Sequence, residues 1–379
     1  MTVLFLTTHL NTGGITSYIL TLGQELRRRG HQVIVASSGG NMEPIFEQAG
    51  LTHEQLDLRT KNIFSLKLIT ALPRLRKLCR QNNVDIVHSH TRVTQLCGIL
   101  LSRIAGCVPV TTCHGFFRVK LSRRILPCWG RAVIAISRQV AEHLQRDFGV
   151  SAQKIHMIHN GIDLSRFVPV DDHFRSQIRS RYGLGNEKVI GIIARLSDVK
   201  GHDVLVEAMP RILVHVPDAR LMIVGEGKRA EFIEKRVQDL GLQQRVDFFP
   251  VSGETEKFLP VFDCFVMPSR QEGLGLSVME AQSVGMPVVA SNVGGLPDII
   301  EHEVSGLLVP PGDADALAGS VIRVLRDREL SRRLGENARS AAVRFYGVDL
   351  MADRVLDVYM RVAGQAASGK TENRIARQL

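Results

Sequence analysis

Long apolar runs are missing from this chain of 379 residues. No stretch approaches the roughly 20 residues that a membrane-spanning helix needs. The first apolar run, Val3 to Leu6, has no basic region before it and is too short for a signal peptide. The expected compartment is therefore the cytoplasm. The six cysteines (Cys79, Cys97, Cys107, Cys113, Cys128 and Cys264) form no CxxC pair and follow no regular spacing. That excludes a disulfide-stapled fold and offers neither a zinc nor a redox motif. No repeat with a fixed period of roughly 20 to 50 residues is present, which argues against a solenoid. Acidic residues are scarce near the start: residues 1 to 170 hold 21 Lys and Arg against 9 Asp and Glu. The remainder holds 27 against 29, so a front part of charge +12 precedes one of −2. Such asymmetry suits an anionic partner in front: a membrane surface, nucleic acid or a phosphorylated substrate.

What is present describes a folded, water-soluble, multidomain protein. Apolar residues make up 44%, charged residues 23%, and mean hydropathy is +0.03. Short β-branched runs alternate with longer amphipathic stretches, the pattern of parallel strands covered by helices on both faces. Strands are predicted near Val3–Thr7, Val33–Ala36, Ile86–Val87, Val108–Thr111, Ala132–Ile136 and Ile155–Ile158. A second series runs near Val189–Ala194, Arg220–Val224, Val246–Phe249, Cys264–Met267, Val288–Ala290 and Gly306–Val309. The predicted class is α/β, two doubly wound Rossmann-like domains. Asp163–Asn186, polar and marked by Pro169, Gly183 and Gly185, reads as a linker, with domains at 1–170 and 171–347. An amphipathic segment at about Val348–Val362 follows, then a polar, aperiodic tail, Gly364–Leu379, expected to be mobile.

Open α/β sheets bind ligands beyond the carboxyl ends of their strands. Asn11, Gly13 and Gly14 follow the first strand, His88 and His90 the third, and His114 the fourth. In the second series Arg195 and Lys200, Gly225–Gly227, Glu272–Gly275, and Asn292, Gly294 and Gly295 follow successive strands. If the two edges face each other, these residues line one interdomain cleft. Gly13-Gly14 is either a tight strand-to-helix turn or a place where backbone N–H groups meet an anion. It is not the dinucleotide fingerprint, because G-x-G-x-x-G is absent there. In the segment Ser269 to Glu280, a helix beginning near Gly275 brings Gly273, Leu276 and Glu280 onto one face. Free amides there suit a diphosphate, and carboxylates suit sugar hydroxyls. The alternative is that Glu272 and Glu280 merely favour helix dipole and solvent. Arg195 and Lys200 could neutralise a leaving diphosphate, although any surface loop can carry two bases.

His88-x-His90 and His114-Gly115 lack the further ligands of a metal site. Asp313-Ala314-Asp315, just after Pro310-Pro311-Gly312, reads as a helix N-cap in preference to a magnesium site. Phe116 to Leu126 interleaves Phe116 and Phe117 with Arg118, Lys120, Arg123 and Arg124, and Trp129 follows. This composition fits either contact with anionic lipid or a helix edge carrying solvated arginines.

These motifs, in this order over most of the chain, resemble the retaining family-4 glycosyltransferases of GT-B fold. The resemblance is carried by Gly13-Gly14, Thr112-Cys113-His114-Gly115, Ala135-Ile136-Ser137, Ile158 to Asp163, Ala194-Arg195 with Lys200-Gly201, Val224 to Gly227, Pro268-Ser269 with Glu272 and Glu280, and Gly294-Gly295. It implies that Glu280 binds the donor ribose, that Arg195 and Lys200 hold the diphosphate, and that Glu272 with the amides of Gly273, Leu274, Gly275 and Leu276 positions the transferred sugar. Gly13, Gly14 and His114 would lie near the reacting centre, with no metal or other cofactor required. Asn11, His90, Arg118, Lys120, Arg123 and Arg124 would face the acceptor or a membrane. The late helix would cross back onto the first domain. Pro250, where the family often has Gly, and His159, where it more often has Pro, depart from the pattern.

The implied activity is transfer of a sugar from a nucleotide donor, a UDP-sugar first and GDP-mannose next, to a saccharide, phosphorylated or lipid-linked acceptor. The enzyme would be cytoplasmic, peripheral on the inner face of the membrane if the basic segment binds lipid. A sugar-nucleotide epimerase and a noncatalytic nucleotide-sugar-binding protein are the alternatives. No recognised module for nucleic acid accompanies the positive half.

Overall fold

The computed structural model describes the chain apart from residues 61, 63–64, 120–122, 124–125, 251–253 and 376–379, and apart from side chains after residue 366. Two compact units emerge, Met1–Gly161 joined by Val348–Leu379, and Ile162–Gly347.

The first unit is a parallel sheet in the order β3-β2-β1-β4-β5-β6-β7. Its strands are β1 (Thr2–Leu6), β2 (Gln32–Ser37), β3 (Thr52–Gln55), β4 (Ile86–Ser89), β5 (Val108–Cys113), β6 (Ala132–Ala135) and β7 (Ile155–Met157). Their β-branched residues are covered on both faces, by a cluster around Phe5, Tyr18, Ile19 and Val35 on one side and Leu4, Leu6, Leu68 and Leu75 on the other. Only β3 escapes the sequence pattern, because Thr52-His53-Glu54-Gln55 is a polar edge strand with half its ladder facing solvent.

The second unit orders its strands β10-β9-β8-β11-β12-β13, again all parallel. They are β8 (Lys188–Ile193), β9 (Ala219–Val224), β10 (Val246–Phe249), β11 (Cys264–Met267), β12 (Val288–Ser291) and β13 (Leu307–Val309). In both sheets the chain reverses its direction of growth beside the first strand, between β1 and β4 and between β8 and β11. Those reversals are where loops part and leave room for a ligand.

The stretch read as a linker holds the helix Asp172–Arg181, capped by Asp171, whose carboxylate accepts from the Phe174 amide at 2.7 Å. Arg179 secures it to the second unit, donating to Val261 O at 2.8 Å and to Asp263. The changeover therefore falls at residues 161 and 162, ahead of the position near 170 that polarity suggests. The last helix, Val348–Ile375, continues past Val362 where the amphipathic pattern ends. Met351, Val355, Val358, Tyr359 and Val362 form one face of it and are buried in the first unit's core. Arg29 ties it down by an ion pair with Asp353 and a hydrogen bond to Asp349 O at 2.9 Å.

Candidate functional site

In the second unit the loops after β8 and β11 are drawn together by side chains. Lys200 Nζ donates to Glu272 Oε2 at 2.5 Å, and Ser269 Oγ donates to the same oxygen at 3.3 Å. Glu272 is buried, and its other oxygen accepts from the Gly273 amide at 3.2 Å. Two glycines permit this approach. Gly201, at φ 68°, lies so close to Pro268 that a Cβ would sit 1.9 Å from its carbonyl oxygen. Gly294, at φ 62°, would place a Cβ 1.8 Å from the Glu272 carbonyl oxygen. Both conformations and both contacts demand glycine.

Arg195 points differently: it is exposed and has no ion-pair partner among the described residues. Behind Glu272, the helix Leu276–Ser283 starts at Gly275 with no side-chain cap among the described residues and no acidic residue in its first turn. Its opening amides, at the end of the Gly273-Leu274-Gly275-Leu276 run, are thus free to meet an anion. Glu280, one turn further, is half-buried and accepts from Thr255 Oγ at 2.9 Å. Burial pushes its carboxyl up to about 7, opposed by the Thr255 hydrogen bond and by Arg166. Neither Thr255 nor Arg166 carries a sequence signal, since one lies in a polar loop and the other in the stretch read as linker.

A cavity of about 240 Å³ beside the Lys200 loop holds none of these residues. Its two cations are already matched, Arg229 with Asp198 at 3.0 Å and Arg270 with Asp203 at 2.7 Å. Asp313 caps the helix Ala314–Arg326 through the Ala316 amide at 2.8 Å, the role its sequence context indicates.

Among the described residues the first unit's helix Gly14–Arg28 likewise begins without a side-chain cap or an early acidic residue, and a Cβ at Gly13 would meet no described atom within 4 Å. Asn11 braces this turn: its carbonyl accepts from Thr16 Oγ at 2.6 Å. Around it gathers a nest of rings. His88 is fully buried, with Nδ1 2.6 Å from Tyr359 Oη and Nε2 2.6 Å from Thr112 Oγ. Both its nitrogens are thus engaged, and burial lowers it to about 3. His90 is also buried, so it backs the site and does not face an acceptor as its position suggests. Its Nδ1 lies 3.0 Å from Nε2 of His114, which is half-buried and packs edge-on against Tyr18 at 4.9 Å. Among the described residues no three His, Cys, Asp or Glu side chains gather as metal ligands.

The basic, aromatic segment divides. Trp129 is buried against Phe148 at 5.5 Å, and the Arg123 guanidinium, expected on the acceptor or membrane side, lies 4.0 Å over the Phe117 ring, turned onto the aromatic cluster. Phe117 also receives structure from His143, whose Nε2 accepts its amide at 3.0 Å. Arg118 is exposed, whereas Lys120 and Arg124 lie outside the described residues. No helix among the described residues is long and apolar enough to cross a membrane.

Comparison with known proteins agrees with this architecture. Residues 12–166 match the model described as Glycosyltransferase Family 4, and residues 174–341 that described as Glycosyl transferases group 1. The GDP-mannose-dependent alpha-(1-6)-phosphatidylinositol monomannoside mannosyltransferase of Mycolicibacterium smegmatis is 30% identical over 87% of this chain and 90% of its own. The D-inositol 3-phosphate glycosyltransferase of Jonesia denitrificans is 33% identical over 75% of this chain and 74% of its own. Among solved structures, Anabaena HepE in complex with UDP and glucose superposes with a TM-score of 0.86 at 22% identity, covering 95% of this chain and all of that one. With a family model on each unit and such relatives spanning most of its length, the chain belongs to the family-4 glycosyltransferases of GT-B fold.

Proposed function

We propose that the protein is a retaining, metal-independent hexosyltransferase that moves a sugar from a nucleotide donor to a lipid-linked or phosphorylated acceptor. The observation that carries this reading is the joined pair of loops after β8 and β11, which offers Lys200, Arg195, a buried carboxylate and uncapped amides at one sheet edge. Glu280 is assigned to the donor ribose, Arg195 and Lys200 to the diphosphate, and Glu272 with Gly273–Leu276 to the transferred sugar. In the first unit Gly13 and Gly14 are assigned to the donor phosphates and His114 to the sugar, with Asn11 and Arg118 on the acceptor side.

The chemistry follows from charge. As the bond from the anomeric carbon to the diphosphate breaks, the sugar becomes cationic and the leaving oxygens gain negative charge. Arg195 and Lys200 stabilise that charge as it develops, so they act mainly in the transition state. In the resting protein Lys200 is neutralised by Glu272, and an arriving phosphate competes for the ammonium while Glu272 turns its lone pairs to sugar hydroxyls. Retention is supported by the mycobacterial relative, since GDP-mannose is α-linked and the product named is alpha-(1-6). The donor is assigned as a UDP-sugar, which the UDP and glucose bound by HepE support, with GDP-mannose next. The acceptor class rests on the phosphatidylinositol and inositol phosphate in the relatives' names and on the basic first 170 residues.

Contact with an anionic bilayer is assigned to the helix Leu66–Gln81, where Leu66 and Ile69 are 75% and 61% exposed beside Arg76, Lys77 and Arg80. The deciding experiment is a thermal-shift panel of UDP, GDP, ADP and their sugars, with and without magnesium. Selective stabilisation by one nucleoside diphosphate without metal supports the reading. No stabilisation at millimolar ligand would leave a noncatalytic scaffold as the better account.

A further inference from the structure

We propose that His90 is a positioning residue that fixes the tautomer of His114, so that the outer ring nitrogen of His114, Nδ1, is a hydrogen-bond donor and not a base. The inference deepens the functional reading above, since it rests on His114 meeting the substrate.

The two rings share one contact, His90 Nδ1 to His114 Nε2 at 3.0 Å. One proton occupies it, and two neutral arrangements are available. In the first, His90 Nδ1–H donates to His114 Nε2. His90 Nε2 is then a bare lone pair, and the His114 proton sits on Nδ1. In the second, His114 Nε2–H donates to His90 Nδ1, which places the single ring proton of His90 on Nε2 and leaves His114 Nδ1 bare.

The surroundings of His90 Nε2 choose between them. That atom is buried and has no hydrogen-bond partner among the described residues. The ring is walled in by Phe5 and Tyr18, each at a centroid distance of 5.5 Å, and by His88 at 4.4 Å. His88 cannot serve it, because Tyr359 and Thr112 already occupy both its nitrogens. A buried N–H with no acceptor is among the rarest defects in folded proteins, whereas an underused lone pair is better tolerated. The first arrangement avoids the orphaned N–H. Burial also lowers both rings, His114 to about 3, so the pair is neutral near pH 7 and only these two arrangements compete.

His114 therefore presents N–H to its open side. It can donate to a sugar hydroxyl or a phosphate oxygen, and it cannot take the proton of the acceptor hydroxyl. That proton must leave by another route, such as a departing phosphate oxygen.

The test is made first on the wild-type protein without substrate, labelled with 15N at histidine. A long-range 1H–15N correlation at pH 7, assigned with H114Q, should show His114 Nδ1 at the position of a protonated ring nitrogen and Nε2 at that of a bare one. The reverse pattern overturns the proposal. Two variants then test the role of His90. In H90D the acceptor-only carboxylate should move the His114 proton to Nε2 and lower kcat by on the order of 100-fold with little change in donor KM. In H90N the amide nitrogen falls where Nδ1 was and should restore the wild-type nitrogen pattern and most of that turnover. A folded H90D protein with an unchanged pattern and kcat overturns the role. Because the spectrum needs no turnover, a protein with the expected tautomer but no sugar transfer would fault the functional reading and leave the tautomer standing.

Discussion

Lys200 and Glu272 are joined ammonium to carboxylate at 2.5 Å, although 72 residues separate them in sequence. Their side chains are only 20% and 9% exposed, so each holds the other in a place where a lone charge would be costly. Removing one partner should therefore destabilise the protein by about 1–3 kcal/mol, the cost of a buried charged group left unsatisfied. The double variant K200M/E272L should lose less than the sum of the single ones. Thermal unfolding of the four proteins measures this, and strictly additive losses would show that the pair contributes nothing of its own.

Turnover should respond to the cations more strongly than stability does. R195A/K200A should lower kcat by on the order of 100-fold or more if both charges act, as assigned, on the leaving group as it departs. A folded double variant with near-wild-type turnover would remove their assigned role. R195A alone should leave the melting temperature nearly unchanged, since Arg195 is exposed and unpaired among the described residues.

If Glu280 holds the donor ribose as assigned, donor binding should depend on pH. Burial raises its carboxyl to about 7, so the unbound protein carries it partly protonated at neutral pH. Protons are bound more tightly by the folded state, and stability from this group is present at low pH and lost as pH rises through about 7. Ribose hydroxyls donating to the carboxylate favour its charged form. Binding of the nucleoside diphosphate should then release part of a proton near pH 7 and tighten as pH rises. Calorimetry in two buffers of different ionisation enthalpy reads that release, and E280Q should abolish it. Proton uptake on binding would contradict the assignment.

Gly294 supports Glu272 through the backbone. Alanine there would combine a left-handed φ of 62° with a Cβ 1.8 Å from the Glu272 carbonyl oxygen. G294A should cost about 1–3 kcal/mol. Its donor KM should rise as well, because relief requires the Glu272 loop to move. An alanine variant with wild-type melting and wild-type KM would show that the contact does not position the loop.

Membrane contact is tested by sedimentation. The protein should pellet with vesicles containing anionic lipid and remain in solution with neutral ones, and L66S/I69S should weaken the binding. Equal binding to both vesicle types would contradict an electrostatic contact.

Most of the fold is legible in the sequence because parallel strands buried on both faces must be apolar along their whole length. Val189 to Ile193 and Phe265 to Met267 announce themselves in that way. The polar edge strand Thr52–Gln55 has no such obligation and leaves no pattern. The helix Asp172–Arg181 hides for a similar reason: only Arg179 among its residues is buried, and its anchors are hydrogen bonds to carbonyls.

The candidate site divides along the same line. The sequence by itself determined which residues follow the strands of the two sheets, since the positions of strands and loops along the chain follow from hydrophobic period and glycine spacing. Tertiary structure decided how they are paired: Lys200 with Glu272, Glu280 with Thr255, His90 behind His114, and Arg123 turned onto Phe117. Hydrogen bonds and ring contacts act over a few ångströms, and only the folded chain brings residues that far apart in sequence within that reach.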